Sequence, residues 1–439
     1  MRTRYSLSIK EFITVCLMLF YGTWGYVPIL MPSVAGAQVL ESQQAQTHSI
    51  NHIVLFAEWV GIAYLLYEVR FKLAWGLTSV RLALIYIGYS VLSILWSANT
   101  SSAVSTCLSL FFTTILAIYL ASTYSAERLT VLLSWLGMML SGLSAVFALL
   151  LPSYGIDHFN HVGAWQGIYA QKNSLGVVMV YMTGIALALQ PVTFLQKVWK
   201  AIVFTLCFAE AILSASREAW IGCAILLLLQ FGLYVYSRFA VRSRVPLLAM
   251  ALTAIGTAIA AGVALFVYIV TALGRDITLS GRTPLWEAVI DQCKTRPLLG
   301  FGLNSFWGSE HAFPVNMAIH WVATSAHDGY LECVLELGLV GLMFLLLVIG
   351  SGYINMIKVL ARVREIAVAR AWIYSLLAVT LFNLTGNMTG ISNSISWVLL
   401  VSSCCMLERL VLERSIQNEV AWEEEESAEY FASLEALKI

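Results

Sequence analysis

Apolar residues recur along this chain in runs of roughly twenty, the length an α-helix needs to cross about 30 Å of hydrocarbon. The balance of residues agrees. Of 439 residues, 59% are hydrophobic and 11% charged, whereas soluble domains carry about 25% charged residues. Mean hydropathy is +0.80. Surface grows too fast relative to volume for one soluble domain to hide this much apolar area. A soluble enzyme, a nucleic-acid-binding domain and a disordered chain are therefore excluded. Outer-membrane barrels alternate apolar and polar residues, and these runs do not. An all-α polytopic membrane protein remains.

About twelve spans are expected, at 12–31, 52–68, 82–96, 103–121, 130–151, 174–190, 198–213, 219–236, 247–271, 329–350, 371–387 and 395–411. The 25 Lys and Arg orient them, because cytoplasmic loops carry the excess of basic residues. With the N-terminus inside, 19 of them fall inside. The outer side keeps six: Lys172, Arg217, Arg275, Arg282, Lys294 and Arg296. Both termini are then cytoplasmic. The seven His (His48, His52, His158, His161, His311, His320 and His327) all fall outside, as does the longest loop, 272–328, whose length suggests function or a packed subdomain. Arg2, Arg4 and Lys10 precede the first run, and Ala35-Gly36-Ala37 resembles a cleavage site. That run exceeds a signal core of 7–15 residues, so it is read as a retained span. The eight Cys show neither a paired framework nor zinc spacing and read as packing residues. From Glu413 onward the chain is polar, with Glu423 to Glu426 an acidic run, and reads as a solvated tail.

Three of the scarce outer cations precede spans or helices. Lys172 stands before span 174–190, with Asn173 as the expected N-cap. Arg217 follows Ser216, a second cap candidate. Arg282 precedes Thr283-Pro284, a cap followed by Pro at the first helical position. The helix after it carries Leu285, Val289 and Cys293 along one stripe and is expected to lie on the membrane surface. A helix N-terminus offers free N–H groups and partial positive charge, and a cation beside it makes a phosphate-binding arrangement. Arg adds bidentate contacts. If the three converge they form a site for a di-anionic group; taken singly, each is an interfacial anchor.

His327-Asp328-Gly329-Tyr330 opens span 329–350. A helix N-terminus disfavours imidazolium, so His327 is expected to be neutral near pH 7 and able to accept a proton. Asp328 acts in the opposite sense, or caps the helix. His158 and His161 stand three residues apart with no third ligand evident, so no metal is expected. Gly300-Phe-Gly302 reads as a tight turn, not a nucleotide loop. Among the acids in or near spans (Glu58, Glu210, Glu332 and Glu336), each a functional candidate, Glu332 and Glu336 lie below His327 on nearly its face. They either orient a base, bind an acceptor sugar or make plain helix contacts.

At these residues the chain resembles the O-antigen ligase and polymerase superfamily. The family pattern is a His, a short polar residue, nine variable residues and Gly-x-x-Gly; here it reads His327-Asp328, nine residues, Gly338-Leu-Val-Gly341. The Ser-x-Ser-Arg of 214–217, Arg282 with Leu285-Trp286, and the 296–302 turn also resemble family features. The segment Gly163 to Gly176 is similar to the exopolysaccharide production branch. Asp328 stands where ligases more often carry Asn, Ser or Gln, a departure that touches the lipid A ligase subgroup. The resemblance covers roughly 160–390 within a transmembrane domain 1–411, followed by an acidic cytoplasmic tail 412–439.

The resemblance implies a GT-C-like glycosyltransferase in the bacterial inner membrane with a periplasmic active site. The donor would be a saccharide on undecaprenyl pyrophosphate, with no metal, nucleotide or nucleic acid involved. Arg217 and Arg282, with Lys172, would bind the pyrophosphate, and His327 would deprotonate the acceptor hydroxyl. Asp328 and Glu332 would orient the base or meet the acceptor. Direct displacement would invert the sugar carbon. Membrane lipid and polysaccharide export or chain-length machinery are the implied partners. An exopolysaccharide or O-antigen polymerase is favoured by the 163–176 segment; a ligase acting on a terminal acceptor is the alternative. A lipid-linked saccharide transporter would need an alternating-access cavity; the chain shows no internal repeat, and its basic and His groups cluster on one side.

Overall fold

The computed structural model describes residues 5–22, 60–61, 75–158, 161–169, 171–239, 246–247, 250, 282–362, 366–384, 386 and 394–436. Among these the regular elements are helices, beside one isolated bridge between Ile156 and Trp165. In chain order they are α1 (Ile9–Gly22), α2 (Thr78–Leu92), α3 (Thr100–Thr123), α4 (Ala126–Leu150), α5 (Pro152–Gly155), α6 (Lys172–Ala188), α7 (Phe194–Leu213) and α8 (Arg217–Tyr236). There follow α9 (Arg282–Thr295), α10 (Phe313–Ile319), α11 (Gly329–Arg362), α12 (Arg370–Phe382) and α13 (Ile395–Ala436), with short 3-10 turns between.

Six of the described helical segments are long and apolar enough to cross a membrane: Thr78–Trp96, Thr100–Thr123, Ala126–Leu150, Arg217–Tyr236, Gly329–Arg362 and Ile395–Ser415. The chain is a multi-pass membrane protein. The expected spans 52–68 and 247–271 lie outside the described residues except at 60–61 and 250. The end of span 12–31, Ala35-Gly36-Ala37, His48, His52, Glu58 and Arg275 also lie outside them. The polar tail is helical, because α13 continues to Ala436.

The membrane-spanning part of α13 lies at the centre, against α2, α3, α11 and α12. Its Trp397 is fully buried, stacks at a tilt 5.3 Å from Tyr86 and donates its Nε1–H to Thr114 Oγ1 at 2.7 Å. The indole thus buries its large apolar face while its polar edge finds a partner. Lower on the same helix, Glu408 accepts the backbone N–H groups of Thr78 and Ser79 at 2.7 and 2.8 Å. A carboxylate from α13 therefore serves as the N-terminal cap of α2, where the helix dipole favours negative charge. At the base of α4, Arg128 holds Glu11 of α1 through a 2.6 Å ion pair and reaches the Ser6 carbonyl.

Helix α11 is two pieces. Gly338 has φ 69° and ψ −173°, which breaks the expected continuous span. The turn 297–302 fills the break. Phe301 and Gly302 donate their N–H groups to the carbonyls of Leu335 and Glu336 at 3.0 and 2.7 Å. In return Leu339 and Val340 donate to the carbonyls of Pro297 and Leu298. The Tyr89 hydroxyl donates to the Leu337 carbonyl at 2.9 Å. Non-helical backbone inside an apolar span is tolerated only when protein groups satisfy it, and this turn does so. That explains both family-like glycine motifs: Gly300 and Gly338 lie so close that a Cβ on either would overlap the other segment's backbone.

Within the long loop between expected spans 247–271 and 329–350, residues 282–328 form a packed subdomain. Leu285, Val289 and Cys293 do form one buried stripe on α9. It faces Phe301, Phe306, Val315, Ala326 and Leu335 in a second core. The stripe is therefore covered by protein; its apolar face does not seek the membrane surface.

Candidate functional site

The chain reverses between α7 and α8 through Ser214-Ala-Ser216. Ala215 sits in the left-handed region at φ 49°, and Ser216 caps α8 by accepting the Ala219 N–H. Gly176 of α6 passes this turn so closely that a Cβ would press on Ser214 Oγ and the Ala219 Cβ. That approach brings the start of α6 beside the start of α8. Lys172 then donates through Nζ to the Ala215 carbonyl at 2.9 Å. Asn173 is not the cap of α6: the cap position is Gln171, which makes no side-chain cap bond, and Asn173 lines the neighbouring cavity.

That cavity encloses about 960 Å³. Its walls include Lys172 and Asn173 from α6, Arg217 and Glu218 from α8, and Arg282 and Trp286 from α9. The 161–164 loop closes another side. The three cations singled out in the sequence therefore meet around one space. Glu218, to which the sequence reading assigned no role, pairs with Arg282 at 3.2 Å. Among the lining residues three cations stand against this one carboxylate, so the cavity keeps a positive excess. The uncapped start of α6 adds N–H groups and its dipole.

His327 stands beside this cavity. Trp286, a lining residue, donates Nε1–H to the Ala326 carbonyl at 2.9 Å. Burial and the neighbouring Arg282 guanidinium both push the His327 imidazole below its ordinary basicity. The ring is thus neutral near pH 7, for a stronger reason than the helix dipole alone. Its φ of 53° is left-handed, a strained state that persists only where the surroundings over-determine it. Trp321, half-exposed, stacks 6.5 Å from the imidazole.

The residues around His327 are fixed on both sides. Asp328 Oδ1 accepts the N–H groups of Tyr330 and Leu331, both at 2.9 Å, so Asp328 is the helix cap. Gly329 donates to the Asn383 carbonyl at 2.7 Å and has no room for a Cβ against the Asn383 side chain. Glu332, 2% exposed, accepts the Ala326 N–H and the Trp307 Nε1–H, each at 2.6 Å. Its oxygens are occupied by the protein, which favours the orienting reading over contact with a sugar.

His158 and His161 do not converge with a third ligand. His158 Nε2 lies 3.0 Å from the Pro152 carbonyl, and His161 donates its backbone N–H to Asp157. Among the described residues no three His, Cys, Asp or Glu form a metal-holding group. Asn383 was beyond the reach of sequence reasoning, since its partner Gly329 lies 54 residues away in the chain; Trp286 stood out only as part of the Leu285-Trp286 feature, without its partner Ala326.

Residues 202–346 match the O-antigen ligase family. Over 285 residues the chain is 26% identical to the exopolysaccharide production protein ExoQ of Rhizobium meliloti (strain 1021). Both matches are to the O-antigen ligase and exopolysaccharide production proteins that the motifs around His327 and 163–176 resemble. The alignment covers 62% of this chain and 63% of that protein, so the chain spans just under two thirds of its relative's length. Arg217, Arg282, His327, Asp328 and Glu332 all fall inside the region that matches the O-antigen ligase family, and Lys172 precedes it.

Proposed function

We propose that the chain is a periplasm-facing glycosyltransferase of the inner membrane. It moves a saccharide from undecaprenyl pyrophosphate to a sugar hydroxyl and thereby polymerises exopolysaccharide or O-antigen repeats. The observation that carries this reading is the meeting of Lys172, Arg217 and Arg282 around one cavity, next to a neutral His327. The ExoQ likeness supports the polymerase form.

In this mechanism the three cations hold the pyrophosphate. The acceptor hydroxyl gives its proton to the His327 ring as its oxygen attacks the anomeric carbon. The bond from that carbon to the pyrophosphate oxygen breaks, and undecaprenyl pyrophosphate leaves with its new charge stabilised by fixed guanidinium groups. A single displacement of this kind inverts the sugar carbon. No step needs a metal ion. Trp321 lies where an acceptor ring could stack beside the base. About twelve spans in a GT-C-like arrangement, with both termini cytoplasmic, put this chemistry on the outer face.

The test is complementation of a strain lacking the chain with His327→Ala, Arg217→Ala and Arg282→Ala, followed by sizing of lipid-linked intermediates. Well-inserted variants that accumulate single lipid-linked repeats support the polymerase. Long lipid-linked chains without a capped acceptor would replace it with the ligase, the reaction for which the matched family is named. Normal polysaccharide from all three variants would overturn the transferase and favour a transporter.

A further inference from the structure

Glu218 lies in the first turn of α8, where the helix dipole favours a carboxylate. It is not the cap of that helix, because Ser216 accepts the Ala219 N–H. It accepts instead from Nη2 of Arg282, at the start of α9, at 3.2 Å. Charged N–H···O contacts normally close to about 2.7–2.9 Å. Both side chains also stay partly exposed, Arg282 25% and Glu218 22%. The pair is thus loose enough for exchange: a phosphate oxygen in the cavity can take the guanidinium, and the carboxylate can take it back. Trp286, one turn further along α9, bonds the Ala326 carbonyl beside His327. Arg282 would therefore meet the phosphate nearest the base, the one that carries the saccharide.

The charges give this exchange a direction. Among the lining Lys, Arg and Glu side chains, Lys172, Arg217 and Arg282 against Glu218 leave two positive charges. A saccharide diphosphate lipid is esterified at both ends and carries two negative charges. Transfer of the saccharide frees its terminal phosphate. A free phosphate loses a further proton near pH ~6, so the charge on that group doubles at neutral pH. The wall then matches the donor and falls one charge short of the product. We propose that Glu218 is a specificity-determining residue that rejects the product. Its carboxylate recaptures Arg282 from undecaprenyl pyrophosphate more readily than from the saccharide-bearing donor. With a neutral residue at 218 the third positive charge would hold the product, and release would slow turnover.

The inference rests on the transferase reading for the identity of the two ligands. Full-length protein in lipid nanodiscs would be titrated by calorimetry, at a pH well above that phosphate ionisation. The probes are undecaprenyl pyrophosphate and its terminal methyl ester, a dianionic stand-in for the donor. Glu218→Gln is nearly isosteric and removes only the charge. It should tighten undecaprenyl pyrophosphate about fivefold, the strength of a partly exposed ion pair, and the ester only about twofold. In turnover the same variant should lose kcat and become more sensitive to added undecaprenyl pyrophosphate. Glu218→Ala should shift the ratio of the two affinities the same way, and decides alone should Glu218→Gln fail to insert. Equal tightening of both lipids, or unchanged binding, overturns the inference. Weaker binding of undecaprenyl pyrophosphate also overturns it and would make Glu218 an orienting partner of Arg282. A wild-type chain that binds neither lipid would sink the transferase reading and this inference with it. Normal wild-type binding with an unmoved ratio in the variants sinks this inference alone.

Discussion

Gly338 lies so close to the carbonyl oxygen of Leu298 that no Cβ can be inserted between them. Its backbone conformation is also one that only glycine adopts without strain. Gly338→Ala should therefore cost more than about 3 kcal/mol, combining backbone strain with the clash. Gly350→Ala, on the same helix with open space around it, should instead be neutral or stabilise by up to about 1 kcal/mol. Thermal unfolding of the two variants in one detergent gives the comparison. Equal melting temperatures would show that the break at 338 is dispensable.

The basicity of His327 gives a prediction in pH. Burial and Arg282 both hold it below its ordinary value, so the neutral ring survives to lower pH than a free histidine's. Removing the positive neighbour by Arg282→Gln should raise that basicity, and the acid limb of kcat at saturating donor should move to higher pH. The pH profile of His327 carbethoxylation should move the same way. An unmoved or opposite shift would mean that Arg282 does not act on the ring.

Arg282 is tied to Glu218, whereas Arg217 forms no ion pair among the described residues. Arg217 is thus the guanidinium ready for a ligand. Arg217→Ala should weaken binding of undecaprenyl pyrophosphate about 10- to 100-fold, the range expected for a charged hydrogen bond. Arg217→Lys should recover only part of it, since an ammonium cannot make the two-pronged contact. Titration calorimetry in nanodiscs reads both; unchanged affinity in Arg217→Ala would remove this residue from the site.

A Cβ at Gly329 would collide with the Asn383 side chain. Gly329→Ala alone should abolish turnover, and pairing it with Asn383→Gly should restore a measurable part, because residues in contact are not additive. Purely additive losses in the double variant would indicate that the two positions act separately.

The membrane-crossing helices were legible because apolar runs of span length leave little choice, and Lys172, Arg217 and Arg282 were legible as candidates because each stands at a helix start; that they line one cavity took the structure to show. The stripe of Leu285, Val289 and Cys293 was legible as a stripe, but its partner was not. Periodicity says that a face is buried and not what covers it; here Phe301, Phe306 and Val315 do. The break at Gly338 was hidden for a related reason. An uninterrupted apolar run reads as one helix, and the groups that stabilise its interruption lie some 40 residues upstream in the turn 297–302. Asn173 was read as a cap from residue type alone, yet the chain starts α6 two residues earlier, with Gln171 at the cap position.

The docked turn has a bearing on how such chains can be recombined. The end of the first piece of α11 gives its backbone carbonyls to the turn 297–302, where a continuous helix would give them to the residues that follow. A loop exchanged between relatives at the apparent helix boundary near residue 329 would arrive without its receptor. The natural unit of exchange runs from Arg282 to Gly341, cutting inside what hydropathy presents as an indivisible span.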